Sequence, residues 1–312
     1  MTYRLGPWVR LEGVSFKQLP PGGKAPTIPS FVTSLLAESI PFIDGVAPKS
    51  GGATTWKVKG TPRAFPSSAA PVHLYEWTVP GKDLDQVEGM SQFSADRKDE
   101  YWCCRRSTHR NVAEKNTASW NEFVHNFKDR HAESEKAFTP TVIAARQALK
   151  WDTEGIEVEV SGERWRNISI AVEEMTHKIN PKPLKNRTFP VVQLTADLAG
   201  TEEFLVVSIP LTDFDHSPYS EFTKDKSLVV AAYASVERVR VLPSNGDVEW
   251  IMATASNAKG VLPQWMQNLA VPSAIAKDVE FFMSWVPRQR ESINKPTPIS
   301  KTGDAPPPIS KD

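Results

Sequence analysis

This 312-residue chain has only two cysteines, no formal net charge and no long apolar run. Its two cysteines, Cys103 and Cys104, are adjacent and cannot form an ordinary disulfide framework, so a reducing, cytoplasmic compartment is expected. The sequons at Asn167 and Asn186 are then expected to stay unused. Basic and acidic residues each number 37, and this balance argues against nucleic acid as a partner. No apolar run reaches membrane-spanning length, and the first residues lack an apolar signal region.

Common motifs of catalysis and metal binding are also missing from the sequence. It contains no glycine-rich phosphate loop, no G-x-S-x-G, no H-E-x-x-H and no C-x-x-C. The six histidines lack metal-ligand spacing, and His125 and His131, six residues apart, point to different faces of a helix. We therefore expect no metal and no cofactor, and the sequence favours a protein that is not an enzyme.

Three segments have helical periodicity. The first begins at Pro29 and is expected to end at Pro41. The second opens at Ser119 with a capping box to Glu122 and continues at helical spacing to Phe138. The third, residues 259–290, is a long closing helix, with a bend or restart expected at Pro272. Its apolar stripe comprises Leu262, Trp265, Leu269, Pro272, Ala276, Val279, Met283 and Val286.

The region between the second and third helices consists mainly of strands. Hairpins are predicted at three turns: 161–162, 199–200 and 244–247, where Asn-Gly is among the stronger hairpin signals. The predicted strands, with two earlier ones at 73–79 and 99–111, are 145–153, 156–160, 164–178, 188–198, 203–211, 228–242 and 248–256. These patterns predict an α+β fold in which a mainly antiparallel, curved sheet packs against the closing helix.

Composition divides the chain into three parts. Residues 1–27 are expected to form an irregular arm, residues 28–290 one domain, and residues 291–312 a disordered, proline-rich tail. The tail contains Pro-Ile-Ser-Lys twice, at 298–301 and 308–311. Either this is a chance repeat in a biased segment, or it docks another protein.

The start of the closing helix contains a recognisable sequence motif. It carries Gly-x-Leu-Pro-x-Trp at 260–265, followed by Asn268 and Pro272, and so resembles the START (StAR-related lipid transfer) domain with its helix-grip fold. The segments 102–111, 119–127, 149–160 and 181–190 resemble, more narrowly, a fungal START-like subfamily without assigned function. The resemblance covers about residues 30–288.

The resemblance implies a function. START domains bind one lipid or other hydrophobic molecule in a cavity between sheet and helix, so a lipid-like ligand and a transient membrane contact are expected. The physics is compatible, because a sheet and one amphipathic helix can enclose more space than side chains fill.

Strand alternation selects the side chains expected to face this cavity. Arg238 and Arg240 are assigned to solvent, and so are Arg164 and Arg166, which turns the intervening residues inward. A one-residue bulge would reverse either assignment. The predicted ligand-binding residues are Arg105, Arg106, Trp165, Met175, Ala231, Tyr233, Glu237, Trp250, Met252, Trp265, Leu269, Pro272 and Val279.

Two inward acids, Glu173 and Glu237, are the candidate catalytic groups if the protein is an enzyme. Burial would raise their pKa values and suit them to acid–base chemistry. The alternative is a structural ion pair with Arg105 or Arg106, since buried acids are usually paired. Either arginine could also anchor a ligand's carboxylate or phosphate.

Three functions remain open. The first is a carrier or sensor of a lipid-like ligand. The second is an enzyme, such as a cyclase or isomerase acting on a polyketide-like or lipid-like substrate, which an inward acid without a basic partner would favour. The third is an interaction protein whose cavity is filled and whose tail recruits partners.

Overall fold

The computed structural model describes residues 6–21, 26–49, 52–87, 97–261 and 263–294, without the side chains of Trp265, Ile293 and Asn294. The tail beyond residue 294 and Leu262 therefore lie outside the described residues. The helices are α1 (Ile28–Asp44), α2 (Gly81–Leu84), α3 (Trp120–Phe123), a π-helix (Val124–Asp129), α4 (His131–Phe138) and α5 (Gln264–Asn294). Short 3-10 turns occupy Phe16–Gln18, Phe214–His216 and Phe222–Lys224.

The described strands form one 11-stranded sheet. They are β1 (Lys57–Val58), β2 (His73–Val79), β3 (Glu100–His109), β4 (Val142–Lys150), β5 (Val158–Val160), β6 (Glu163–His177), β7 (Arg187–Leu198), β8 (Glu203–Pro210), β9 (Val229–Val230), β10 (Ala232–Val241) and β11 (Val248–Asn257). The order along the sheet is β1-β2-β3-β11-β10-β8-β7-β6-β4, with β5 added to β6 and β9 pairing β7 in parallel. Every other pairing is antiparallel among these strands.

The three predicted hairpins are present. Ser161 and Gly162 both have positive φ, as a tight two-residue turn requires, and Gly200 and Gly246 have positive φ in the other two. β10 and β11 pair in register from Ala232 opposite Asn257 to Val241 opposite Val248. A large antiparallel sheet with a long C-terminal helix is the predicted helix-grip arrangement, and it is confirmed.

Both faces of the sheet are covered. The face that we call the α1 face packs against α1 and the arm of residues 6–21, which includes the buried Val9 and Val14. The opposite α5 face packs against α5 and the segment 120–138. The arm is fixed by Arg10, whose buried guanidinium lies 3.5 Å from Glu38 and 3.4 Å from Glu100. The chain therefore forms three layers, and neither face of the sheet is left to solvent.

Both β10 arginines predicted to face solvent lie on the covered α1 face for this reason, Arg238 buried and Arg240 partly buried. Arg238 is 1% exposed on the α1 face, where it pairs with Asp44 and donates to the carbonyl of Ala47 at 2.7 Å. Glu249 of β11, also fully buried, accepts from Arg106 and Arg240. The alternation was read correctly, but the second covering layer was not foreseen.

The predicted end of α1 at Pro41 is wrong. The helix continues through Pro41 to Asp44. A proline inside a helix costs about 3 kcal/mol, while burial of one large apolar side chain contributes roughly 1.5–3 kcal/mol. Phe42 and Ile43, which the extra turn carries, are both buried, and together they offset the cost.

Candidate functional site

A cavity of about 410 Å³ lies between the segment 128–136 and strands β4, β6 and β7. Its floor on the α5 face of the sheet includes Ser169, Glu173, Gln193 and Thr195. Charged side chains of the 128–136 segment and of β4 form its other wall. The lining is therefore largely polar, and it contains no described residue of α5.

The cavity owes its shape to a break in the second predicted helix. The single helix expected over 119–138 changes to a π-helix at Val124 and ends at Arg130, whose φ of −134° and ψ of 40° are not helical. A new helix, α4, starts at His131. Isolated π-turns are frequent at functional sites, and this one re-aims the chain so that His131 faces the sheet.

His131 is the functional candidate that sequence reasoning missed. Its Nε2 lies 3.4 Å from Glu237 Oε2, and its Nδ1 lies 3.4 Å from Gln193 Nε2 and 3.8 Å from Glu135. Burial lowers the pKa of His131, but the hydrogen bond to Glu237 and the charge of Glu135 outweigh it, so the pKa is raised. The available signal was its place on the apolar stripe with Phe127 and Phe138.

Glu173 lies on the floor of the cavity and is 4% exposed. Its Oε1 accepts from Gln147 Nε2 at 3.0 Å, whereas no described group hydrogen-bonds to Oε2. Burial raises the pKa of this carboxyl above its ordinary value, against the smaller opposing effects of Gln147 and His131. Glu173 thus has no basic hydrogen-bond partner among the described residues.

Glu237 has the ion pair proposed as its alternative role. Arg105 Nη2 donates to its Oε1 at 3.2 Å, and Trp250 Nε1 donates to the same oxygen at 2.5 Å. Burial alone would raise the pKa of Glu237, but the hydrogen bond from His131 and the charge of Arg105 lower it. Glu237 is therefore a charged structural group, unlike Glu173.

Acidic side chains from α4 and α5 also act on Glu237 and its neighbours. Asp278 of α5 is partly buried, and burial raises its pKa to about 7, with Arg105 opposing and Glu135 and Glu237 adding to the rise. Burial is the main cause of the raised pKa of Tyr233 in β10, and the charges of Glu135 and Glu237 raise it further. Electrostatic coupling thus links α4, α5 and the middle of the sheet.

Several predicted ligand-binding residues lie together on the α5 face. Trp250, Met252 and Val279 belong to its core cluster, with Arg105 stacked on Trp250. Tyr233 and Glu237 share this face of β10, and Met175 lies on β6 opposite Phe189 of β7, whose ring contacts Tyr233 at 6.3 Å. Ala231 is buried just before β10, and Pro272 is buried within an uninterrupted α5.

Three other predicted residues lie elsewhere. Trp165 packs in the α1-face core, because a bulge between Arg166 and Ser169, with Asn167 at a φ of 50°, reverses the alternation of β6. Arg106 points to the α1 face, where it pairs with Glu249 at 2.6 Å. Leu269 is 71% exposed on α5, so the apolar stripe becomes buried only farther along the helix. The side chain of Trp265 is not among those described.

The space under the second half of α5 is filled with rings. Trp250 of the sheet contacts Phe123, Phe127 and Phe282 at centroid distances of 5.4, 4.6 and 5.5 Å. Phe138 joins them at 5.6 Å from Phe282. The described cavity consequently lies beside α4 instead of directly beneath this part of the closing helix.

Metal-ligating and membrane-spanning features are absent from the part of the chain that the structure describes. No group of three or more histidine, cysteine, aspartate or glutamate side chains there could hold a metal ion. None of the described helices is long and apolar enough to cross a membrane. Cys103 and Cys104 are both buried, and burial raises the pKa of Cys103 to about 12.

A family model described as "Protein of unknown function (DUF3074)" matches residues 102–286. The chain belongs to this family. The matched residues run from β3 into α5 and include His131, Glu173 and Glu237. No curated protein matches the sequence of this DUF3074 chain.

Solved structures of lipid-transfer domains are similar to this DUF3074 chain in shape. Human STARD10 is 15% identical, with 82% of each chain covered and a TM-score of 0.49. Human StAR-related lipid transfer protein 5 is 10% identical, with 82% of this chain and 99% of that chain covered and a TM-score of 0.48. A STAR-related lipid transfer protein fragment from Xanthomonas axonopodis is 14% identical, with 74% and 98% covered and a TM-score of 0.44.

Proposed function

We propose that this chain binds one lipid-like small molecule, as a carrier or sensor, with the polar end of the ligand in the cavity beside α4. The observation that carries the proposal is the cavity of about 410 Å³ on the sheet's α5 face. Binding sites for small molecules are concave and present a few convergent polar groups. Here Glu173, Gln193 and His131 converge from two strands and a helix.

The apolar part of the ligand has a complementary surface nearby. Phe189 and Tyr233 are only half-buried on the α5 face, although neighbouring side chains on that face are buried. His177 packs edge-on against Phe189 at 5.1 Å. A chain leaving the cavity along Met175 would meet these aromatic rings under the first half of α5.

The first test is binding of a fluorescent fatty acid and a fluorescent sterol to delipidated protein, with native mass spectrometry of the purified protein for any retained ligand. We expect saturable binding of at least one probe, insensitive to a metal chelator. Ala145, a half-buried residue that lines the cavity, offers a blocking variant. Ala145→Phe should weaken binding at least tenfold, and the control Ala270→Phe, on an exposed part of α5, should not.

Two results would count against the proposal. The absence of saturable binding and of a retained apolar molecule would remove the carrier and sensor functions. Equal affinity of Ala145→Phe and the wild type for the probe would show that the ligand binds outside this cavity.

We also propose that the start of α5 touches a membrane during ligand exchange. Val261 is 81% exposed, and Met266 and Leu269 are exposed beside it. Arg187 joins this segment to the lysine-containing loop 178–186, because its Nε donates to the carbonyl of Ala258 at 2.9 Å. Exposed apolar side chains next to lysines suit an anionic lipid surface.

Co-sedimentation with vesicles that contain phosphatidylserine tests this contact. Leu269→Glu should reduce the bound fraction severalfold, while Tyr219→Glu, at an exposed site on another loop, should leave it unchanged. Equal sedimentation of Leu269→Glu and wild type would exclude this surface. Docking of another protein by the tail remains a separate proposal, since residues 295–312 lie outside the described structure.

The second candidate function is an acid–base enzyme of the cyclase or isomerase type. Glu173 favours it, because this buried acid has no basic hydrogen-bond partner among the described residues and its pKa is raised. A neutral carboxyl can give a proton to a substrate carbonyl and take one back from carbon. To test for enzymatic activity, a cell extract is incubated separately with the wild-type protein and with Glu173→Gln. A product that forms only with the wild type would support this function.

A further inference from the structure

We infer that the cavity beside α4 selects an organic oxyanion, a carboxylate or phosphate at the end of an apolar molecule, with the unsatisfied Oε2 of Glu173 hydrogen-bonded to it. The inference rests on the proposed ligand binding and names the chemical class of the ligand. It depends on two features of the lining: lysines that form no ion pair with a described residue, and a buried carboxyl with an unsatisfied oxygen.

The first feature is the pairing of the cations that line the cavity. Lys128 is bound to Asp197 at 2.8 Å, and Arg130 is bound to Glu133. Arg146 is held by Glu174 at 2.7 Å and Glu221 at 3.0 Å. Lys136 of α4 and Lys150 of β4 are exposed, line the same cavity and form no ion pair with any described residue.

Two lysines that line one cavity from different elements are suited to a shared anion. A carboxylate or phosphate within reach of Lys136 and Lys150 would gain charge-assisted hydrogen bonds from both. His131 is not available for this role, because Glu237 and Glu135 already face its two ring nitrogens.

The second feature is the unsatisfied oxygen of Glu173. A buried polar atom without a partner costs roughly 1–3 kcal/mol, so a ligand atom that satisfies it is favoured. Gln147 already occupies Oε1. Oε2 has no hydrogen-bond partner among the described residues, and burial raises the pKa of this carboxyl. A protonated Oε2 would need an acceptor, which an oxyanion supplies and an ammonium group does not.

Neighbouring hydroxyls complete an acceptor-binding floor. Ser169 and Thr195 are paired across β6 and β7 in the same part of the cavity. Gln193 Nε2 lies 3.3 Å from Ser208 Oγ, which orients the amide within the floor. The Ser169 and Thr195 hydroxyls can each donate to a ligand oxygen, whereas the Gln193 amide is engaged by Ser208 and His131. The lining also includes the acids Asp129 and Glu133, the second of which is paired with Arg130.

The experiment compares four probes with the same apolar chain: oleate, oleoyl lysophosphatidate, oleyl alcohol and oleylamine. Their affinities for the delipidated full-length protein are measured by displacement of a bound fluorescent sterol or fatty acid. We expect at least one of the two acids to bind at least tenfold more tightly than the alcohol and the amine. The comparison of oleate with lysophosphatidate shows which oxyanion the cavity prefers.

Three variants test the named residues. Lys136→Met together with Lys150→Met should weaken binding of the preferred acid at least tenfold and leave oleyl alcohol within twofold. The matched control is Lys277→Met, on an exposed position of α5. Glu173→Gln keeps a donor and should stay within threefold of wild type for the acid, whereas Glu173→Leu should lose at least fivefold.

The outcomes separate this inference from the proposed function. Equal affinity for all four probes, or preference for the alcohol or amine, would overturn the oxyanion while leaving lipid binding intact. A strong gain of acid binding in Glu173→Gln would show that Glu173 is charged and repels the ligand, which also overturns it. Failure of every probe to bind would overturn both.

Discussion

The guanidinium carbon of Arg105 lies over the indole of Trp250, 3.8 Å from the ring centroid. The same guanidinium donates to Glu237, and Trp250 Nε1 donates to the same carboxylate oxygen. All three side chains are buried. The Arg105 guanidinium, the Trp250 indole and the Glu237 carboxylate therefore contact one another, between the aromatic core and the polar cavity.

Removal of Arg105 should be strongly destabilising. Arg105→Met leaves the buried Glu237 without its arginine, with only the Trp250 donor and His131 beside it, and breaking one side of a buried pair typically costs about 3–5 kcal/mol. Adding Glu237→Gln to this variant should recover part of the loss, because the uncompensated charge is gone. Urea unfolding measures the free energy of unfolding of the single and the double variant, and Arg110→Met, at an exposed site, is the control. Additive losses in the double variant would contradict a coupled pair.

Asp278 should make the stability depend on pH. Its pKa is raised to about 7 by burial, so the folded state keeps the proton that the unfolded state releases above its ordinary value of 3.8. The stabilising effect of this proton is complete at low pH and is lost as pH rises from about 4 to about 7. Asp278→Asn should therefore gain stability relative to wild type above pH 7, and the difference should shrink on acidification.

Thermal unfolding at pH 5 and pH 8 gives the comparison. The control is Glu280→Gln, a partly exposed acid on the same helix. A pH-independent difference between Asp278→Asn and wild type would show that Asp278 ionises normally in the folded protein.

Local patterns predicted much of this fold because the strands and turns are strongly marked. The Asn-Gly hairpin between β10 and β11 and the capping box at Ser119 are both present. Alternation in β10 and β11 correctly placed Tyr233, Glu237, Trp250 and Met252 on one face, since no bulge interrupts either strand.

The site was less predictable because it depends on two local irregularities and on the tertiary placement of α5. The bulge at Asn167 moved Trp165 to the other core, and a single left-handed residue leaves no clear mark in a polar stretch. The break at Arg130 turned His131 toward the sheet, although the sequence there continues a helical period. Exposure of Leu269 follows from where α5 first meets its packing partners, which is a tertiary property.

The loop between β8 and β9 illustrates the same limit. Its polar sequence gives no sign of a tertiary anchor, and Glu174 of β6 supplies one. This fully buried carboxylate accepts from the backbone nitrogens of Glu221 and Thr223 and from the Thr223 hydroxyl, at 2.9–3.0 Å for the shortest contacts. Arg146 of the cavity wall completes the set at 2.7 Å.

Glu174→Gln should release this loop without unfolding the sheet. The amide keeps one acceptor oxygen but loses the charge that binds Arg146, so we expect faster hydrogen exchange over residues 214–224 and unchanged protection in β7 and β8. The control is Glu163→Gln at the other end of β6, where the side chain is partly exposed. Unchanged exchange in the loop would show that its own turns hold it.

Arg290 should set the point at which α5 stops contributing to stability. Its Nε donates to Glu122 Oε1 at 2.5 Å and its Nη2 to Glu122 Oε2 at 2.8 Å, while Nη2 and Nη1 also reach the carbonyls of Thr117 and Glu114. Glu122 simultaneously accepts from the backbone nitrogen of Ser119 at 2.8 Å in the capping box of α3. One guanidinium thus ties the end of the closing helix to the start of the helical segment that forms the cavity wall.

Arg290→Ala should cost about 1.5–3 kcal/mol, the range for hydrogen bonds to charged groups. Arg290→Lys should recover only part, because an ammonium group cannot reproduce the bidentate contact. Arg288→Ala, exposed on the same helix, should change the unfolding free energy by less than about 0.5 kcal/mol. A chain that ends at residue 294 should match the full-length protein, and one that ends at residue 289 should unfold at lower urea, as Arg290→Ala does. If both truncations are equally stable, the contact with Glu122 contributes nothing and the domain ends earlier than the sequence predicts.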